Sequence, residues 1–230
     1  MKTKSGFTLA EVLITLGIIG VVAAMTLPAV INKIGDRANI NKLKREYSLY
    51  QQAFQQIAAE NDFEFKNGLS NCTNTAQKSQ HVCLKDLFKA KLKTIADCDS
   101  SKDENLSKCF VSQYDAKQLN GKPADYYYFN ENGQPALVLE DGSSSTMFLD
   151  TLECTATHSG NKIRCGYIFV DVNGPKQQPN TWGRDLFLFF IYSDRIVPAS
   201  SENTDATDLK DDCEIGTNYG MTCAGKYLYK

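Results

Sequence analysis

Charge is what the start of this sequence lacks: from Phe7 to Ile31 the only charged side chain is Glu11. A buried core helix would rarely be apolar around its whole circumference in a chain this small, so that reading is dropped. Histidine is scarce too. The two present, His81 and His158, lie near cysteines but in no C-x2-4-C or H-x3-5-H pair, so the spacing argues against zinc. There is no Gly-x-Ser-x-Gly elbow and no phosphate loop, and no motif sets one cysteine apart as a nucleophile. Nothing here argues for an enzyme. Lysine and arginine (25) do not outnumber aspartate and glutamate (27), so the basic footprint of a nucleic-acid surface is missing and no such partner is expected. Internal repeats are also lacking.

What the chain does have is length in that apolar run. Phe7 to Ile31, as a helix rising about 1.5 Å per residue, would span roughly 37 Å, against a hydrocarbon core of about 30 Å. The run is too long for a secretory signal and has no A-x-A-like site after a short apolar core. A plain membrane anchor fits the length but leaves Glu11 unexplained, because a carboxylate in mid-bilayer costs on the order of 3 kcal/mol. Something should need that charge there. Orientation is not set by charge: Lys2 and Lys4 precede the span, while Lys33, Arg37, Lys42, Lys44 and Arg45 follow it.

Gly6-Phe7-Thr8-Leu9-Ala10-Glu11, followed by the unbroken apolar run, resembles the class III leader of type IV pilins and type II secretion pseudopilins. The resemblance implies a leader of residues 1–6, cleavage after Gly6 by prepilin peptidase and N-methylation of Phe7. It places the leader in the cytoplasm, holds the subunit in the bacterial inner membrane, and puts the rest outside until an inner-membrane assembly platform extracts it into a filament. Identical or related subunits are the implied partners, stacked through their helices. Glu11 then has a role, since a carboxylate in lipid seeks a cation and the amine of Phe7 on an adjacent subunit is the nearest one. Such a pair fixes register and stagger more than it adds stability. The contact is head to tail and does not close, which generates a helical fibre. Gly17, Gly20 and Pro28 are ordinary in membrane helices, but Pro28 lacks a donor and should kink or open the helix locally.

The pattern changes at residue 32. Ile40, Leu43, Tyr47, Tyr50, Phe54 and Ile57 recur at threes and fours, a single helical stripe to about residue 60. Lys42, Lys44, Arg45, Glu46 and the glutamines between them read as the solvated side. Residues 61–230 read as an extracytoplasmic head. Its first part is polar and broken by turns at Asn67-Gly68, Ser70-Asn71 and Asn120-Gly121, with one helical island over Leu84–Ile95. Short β-prone runs follow at Tyr126–Phe129, Ala136–Glu140, Thr146–Asp150, Tyr167–Val172, Leu186–Tyr192 and Ile196-Val197, with a hairpin turn at Asp141-Gly142. The expected fold is α+β: a long N-terminal helix, apolar over 7–31 and amphipathic over 32–60, the latter packed on an antiparallel sheet with disulfide-rich loops.

Eight cysteines, all after the membrane run, suit an oxidising compartment. They allow 105 pairings, so the sequence alone does not fix connectivity. The spacings are regular, however: Cys72 with Cys83, Cys98 with Cys109 and Cys154 with Cys165 are eleven apart, and Cys213 with Cys223 is ten. A helix over Leu84–Ile95 would hold Cys83 and Cys98 roughly 20 Å apart, beyond disulfide reach. A hairpin turning at Ser159-Gly160 would set Cys154 directly opposite Cys165. Sequential pairing is therefore favoured, and the last loop resembles the cystine-closed C-terminal loop of many pilins.

One oxygen-rich stretch stands apart. Asp171, Asn173, Asn180 and Asp185 could converge on calcium, although the order of an EF-hand is missing and Asx residues also serve turns without metal. The major pseudopilins bind calcium in a loop near the end of the head, but that site does not map residue by residue onto this spacing. No other cofactor is expected. The reading is a pilin or pseudopilin subunit of a type IV pilus-like filament or secretion pseudopilus. The alternatives are a minor subunit at the tip or a membrane-tethered, disulfide-rich binding module that never polymerises.

Overall fold

The computed structural model describes residues 8–73, 79–99, 106–112, 115–124, 134–158, 162–200, 213 and 219–229. Gly6, Phe7, the expected strand Tyr126–Phe129 and the turn Ser159-Gly160 lie outside them. The chain divides into two compact units, Met1–Ala38 and Asn39–Lys230.

Helix α1 (Leu9–Ala59) is long and apolar enough to cross a membrane. In the first unit it runs unbroken through Gly17, Gly20 and Pro28, and its large apolar side chains from Leu9 to Ile34 are exposed. No side-chain atom comes near either glycine. With its peptide groups paired along its own axis, save where Pro28 has no N–H to give, such a segment is stable in lipid and poorly suited to water.

In the second unit the stripe turns inward. Leu43, Tyr50, Ala53, Phe54 and Ile57 are buried, and Tyr47 packs against the same core. Polar contacts fix the helix on the sheet: the Tyr50 hydroxyl donates to Ser145 Oγ at 2.6 Å, and Gln51 Nε2 donates to the Ile196 carbonyl at 2.6 Å. Glu46, read above as solvated, is wholly buried. It falls three after Leu43 and four before Tyr50, so helical geometry puts it on the apolar face.

The sheet has six antiparallel strands in the order β1-β2-β3-β6-β7-β8: β1 (Thr94–Cys98), β2 (Ala136–Leu139), β3 (Ser144–Leu149), β6 (Gly166–Asp171), β7 (Leu186–Ile191) and β8 (Ile196–Pro198). Between β3 and β6 a separate hairpin, β4 (Ala156–His158) and β5 (Lys162–Arg164), stands off the sheet. Strand residues alternate between faces, so Met147, Ile168, Val170, Phe187 and Phe189 meet α1 and α3 (Gln80–Lys89) in one core. Phe169, Leu186, Leu188 and Phe190 face the other way, into a second core with Trp182, Phe110 and Met221. Loops cover that second face. This is why β7, Leu-Phe-Leu-Phe-Phe-Ile, is apolar on every residue.

Several details differ from the sequence reading. The helical island stops at Lys89, and Thr94 to Cys98 is strand β1, which leaves Ile95 exposed. The β-branched pair Thr94-Ile95 matches the period-2 demand of an edge strand better than a helix end. Asn67-Gly68 lies inside a short helix α2 (Phe65–Leu69), because Phe65 and Leu69 are one helical turn apart and both buried. β3 begins at Ser144, since the turn closes tightly on Gly142 at φ +88°. The short helices α4 (Leu106–Cys109) and α5 (Cys223–Leu228) fall in stretches read as loop.

Candidate functional site

At its start, α1 closes on itself. Thr8 precedes the first helical residue, and its N–H and hydroxyl both donate to Glu11 Oε2 at 2.8 Å, while the Glu11 N–H donates to Thr8 Oγ1 at 3.2 Å. This is the reciprocal capping box of a Thr-x-x-Glu sequence, satisfying donors that a helix N-terminus leaves open. The motif is legible in Thr8-Leu9-Ala10-Glu11, and it gives Glu11 a partner within its own chain besides the one expected on another molecule. The chain by itself thus already supplies Glu11 with two donors. The carboxylate is nonetheless left on an exposed helix end, with lone pairs to spare. Gly6 and Phe7, the expected processing pair, lie outside the described residues.

All eight cysteines are paired, as Cys72–Cys83, Cys98–Cys109, Cys154–Cys165 and Cys213–Cys223, with Cα separations from 3.8 to 6.2 Å. The sequential pairing is therefore right, but two of the reasons offered for it are not. Cys83 and Cys98 are not held apart by one helix, because the island ends before β1. In the hairpin, Ala156 pairs with Arg164 and His158 with Lys162, a register one residue off the expected centre that would put Cys154 opposite Gly166. Cys154 instead leaves the ladder at φ +54°, and that turn of the backbone brings it to Cys165. Both are buried in the core under α1.

Of the two histidines, His81 is structural. Its Nδ1 accepts the Leu149 N–H at 3.1 Å, its ring stacks on Phe148 at 4.1 Å, and burial lowers its pKa. Three carboxylates, Asp86, Asp97 and Asp99, have oxygens within 4.8 Å of one another. Their cation is internal: Lys85, buried on α3, lies 3.2 Å from Asp86 and 3.0 Å from Asp97 and bonds Asp99 as well. Burial alone would lower the Lys85 pKa, but Asp99, Asp97 and Asp86 together raise it.

The four oxygen-bearing residues named from the sequence do come together. Asp171 ends β6, Asp185 immediately precedes β7, and the connection between them doubles back so that the Val172 N–H donates to the Asp185 carbonyl at 2.9 Å. Asp185 organises the turn: its Oδ2 accepts from the Asn180 N–H and Asn173 Nδ2, and its Oδ1 from the Thr181 N–H. Asp171 Oδ1 accepts from the N–H groups of Asn173 and Gly174. Gly174, at φ +87°, lies so close to the neighbouring turn that a Cβ there would meet the Gly142 carbonyl at 2.1 Å. Burial, and then the nearby Asp185 charge, push the Asp171 carboxyl up to about 8; burial raises Asp185 as well.

Residues 1–27 match the model of the prokaryotic N-terminal methylation motif, the prepilin-type signal of type IV pilins and pseudopilins. No curated protein and no solved structure matches the chain. The motif supports a pilin- or pseudopilin-like protein processed by prepilin peptidase, and the long apolar helix is consistent with anchoring in a membrane and an extracytoplasmic head.

Proposed function

We propose that this protein is a structural subunit, pilin or pseudopilin, of a type IV pilus-like filament or type II secretion pseudopilus. Prepilin peptidase cuts it after Gly6 and methylates Phe7, and the mature chain, held in the inner membrane, joins identical or related subunits through α1. The observation that carries this reading is a methylation motif over 1–27 coinciding with a helix whose large apolar side chains are exposed from Leu9 to Ile34. Apolar surface on that scale needs lipid or the same helix of a neighbour.

Glu11 then has two successive tasks. In the isolated subunit it caps its own helix through Thr8; in the fibre it meets the amine of a neighbouring Phe7, which favours one axial stagger and penalises the others. The two tasks separate by mutation, because a capping box accepts Gln as readily as Glu while only Glu carries charge. Glu11→Gln and Glu11→Ala should both be cleaved after Gly6, and both should be lost from sheared fibres. Normal incorporation of Glu11→Gln would reduce Glu11 to a cap. Normal incorporation of both variants would favour a tethered module that does not polymerise. Replacing Gly6 should leave the chain at its full mass, read by mass spectrometry of the amino terminus.

A further inference from the structure

Among the described residues, four buried side-chain oxygens without a hydrogen-bond partner lie on the β6–β7 connection and the strand beside it: Asp171 Oδ2, Asn173 Oδ1, Asn180 Oδ1 and Ser144 Oγ. All four residues are more than nine-tenths buried. Ser144 enters from another strand. It is the register partner of Asp171 across β3 and β6, and directly opposed residues of an antiparallel pair share a face with their Cβ atoms about 5 Å apart. The identity of the bare amide atom in Asn173 is secure on chemical grounds. Its nitrogen donates to the Gln178 carbonyl at 3.0 Å and to Asp185 Oδ2 at 3.1 Å, both acceptors, so the ring of contacts would break if the amide were turned over. Buried polar atoms are normally satisfied, and leaving several acceptors bare side by side is costly. Every one of them is an oxygen: the carboxylate and the two amide oxygens can only accept, and the Ser144 hydroxyl can turn its lone pairs toward a cation.

From this geometry we infer that the β6–β7 connection and β3 form a binding site for a hard divalent cation, calcium by its chemistry. Asp171, Asn173, Asn180 and Ser144 supply the direct oxygens. Asp185, whose oxygens already hold three N–H groups, supplies the second negative charge and keeps the turn in shape. Two carboxylates match a dication. Oxygen-only donors on an irregular loop suit calcium, which accepts six to eight oxygens in flexible geometry; magnesium demands a rigid octahedron and keeps its waters. Zinc and other softer metals would want nitrogen or sulfur, which the site lacks. The raised Asp171 pKa has the same origin as the bare oxygens, two carboxylates held together out of water. The cluster of Asp86, Asp97 and Asp99 makes a useful contrast, because there Lys85 already provides the charge.

A metal-free arrangement competes with this one: Asp171 protonated, its O–H serving one of the amide oxygens. Asp171→Asn separates the two, since an amide copies the protonated acid but not the ligand. The site stands whether or not the chain assembles, so its test is independent of the filament reading. The full mature chain in detergent micelles, stripped with EDTA, is titrated with Tb³⁺ while exciting Trp182, the single tryptophan, two residues from Asn180. Sensitised terbium emission that calcium displaces, and a melting temperature raised by about 1 mM calcium more than by the same magnesium, are the expected results, an affinity in the range of extracytoplasmic calcium modules. Asp171→Asn should abolish both signals, Asp185→Asn should weaken binding roughly ten- to a hundredfold, and Asp97→Asn should change neither. No calcium-dependent melting shift in the unmodified chain overturns the proposal. So does an Asp171→Asn variant that keeps the calcium response, or that melts higher than the unmodified chain while neither responds to calcium.

Discussion

Glu46 is a buried carboxylate outside the cation site whose ionisation bears on the fold. It lies on the buried face of α1, its carboxyl beside Asp141, Ser143 and Tyr50. Burial first, then the Asp141 charge, push its pKa up from 4.5 to about 7, with a hydrogen bond to Asp141 acting the same way, while a hydrogen bond with Ser143 and the Arg45 charge pull the other way. Burial also works against the Asp141 charge, yet hydrogen bonds from Ser143 and the Arg45 ion pair keep Asp141 ionised. Below about pH 4.5 Glu46 is protonated whether the chain is folded or not. Between 4.5 and about 7 only the folded chain holds the proton, so stability falls as pH rises through that window and is flat beyond it. Glu46→Gln removes the penalty: little change at pH 4, and a gain on the order of 3 kcal/mol at most at pH 8, at about 1.4 kcal/mol per pKa unit. Urea unfolding at both pH values in EDTA checks this, and an equal effect at the two would show that Glu46 acts through packing. The burial of Glu46 is legible in its spacing from Leu43 and Tyr50, because the angle around the helix and not the polarity of the side chain decides which face it takes. Ser144 was not legible, because only the β3–β6 register brings it opposite Asp171.

Among the elements, those with a strong period were visible beforehand and those made by tertiary contact were not. The stripe on α1 and the strands β2, β6, β7 and β8 follow from apolar spacing and flanking turns. β1 exists because β2 offers it an edge, and its own residues from Ile95 to Asp97 are exposed, so no buried alternation marked it. Hairpin β4–β5 shows the limit differently: the turn was located, but a one-residue register shift depends on the φ of Cys154, which composition does not encode. Among the described residues that hairpin pairs with no other strand, and the Cys154–Cys165 bond ties it to the core. Converting both cysteines to Ala should lower stability by about 3 kcal/mol, the chain-entropy value for a loop of this size. Because both sulfurs are buried in the core under α1, a further loss from packing should add to it. Guanidinium midpoints of the variant and the parent check this, and a loss well under 1 kcal/mol would mean that the hairpin is anchored by other contacts.

For the molecule as a whole, the two units ask for different solvents. The exposed large apolar side chains are concentrated in the first unit, from Leu9 to Ile34, with few elsewhere among the described residues. The second unit, Asn39 to Lys230, buries apolar side chains on both faces of its sheet and has four disulfides within it. Helix α1 enters that unit with Leu43, Tyr50, Phe54 and Ile57 already facing inward, so a chain beginning at Asn39 keeps every helical contact the core uses. It should therefore be soluble and monomeric without detergent when made in an oxidising compartment, with the same four disulfides and the same calcium response as the full chain. The full chain should need detergent or lipid. Size-exclusion chromatography with light scattering, beside a non-reduced peptide map, decides the point. Aggregation of the shortened chain despite correct disulfides would mean that the second unit presents an apolar surface of its own, and the groove lined by Phe54, Ala58 and the exposed Phe63 is where that surface would be sought.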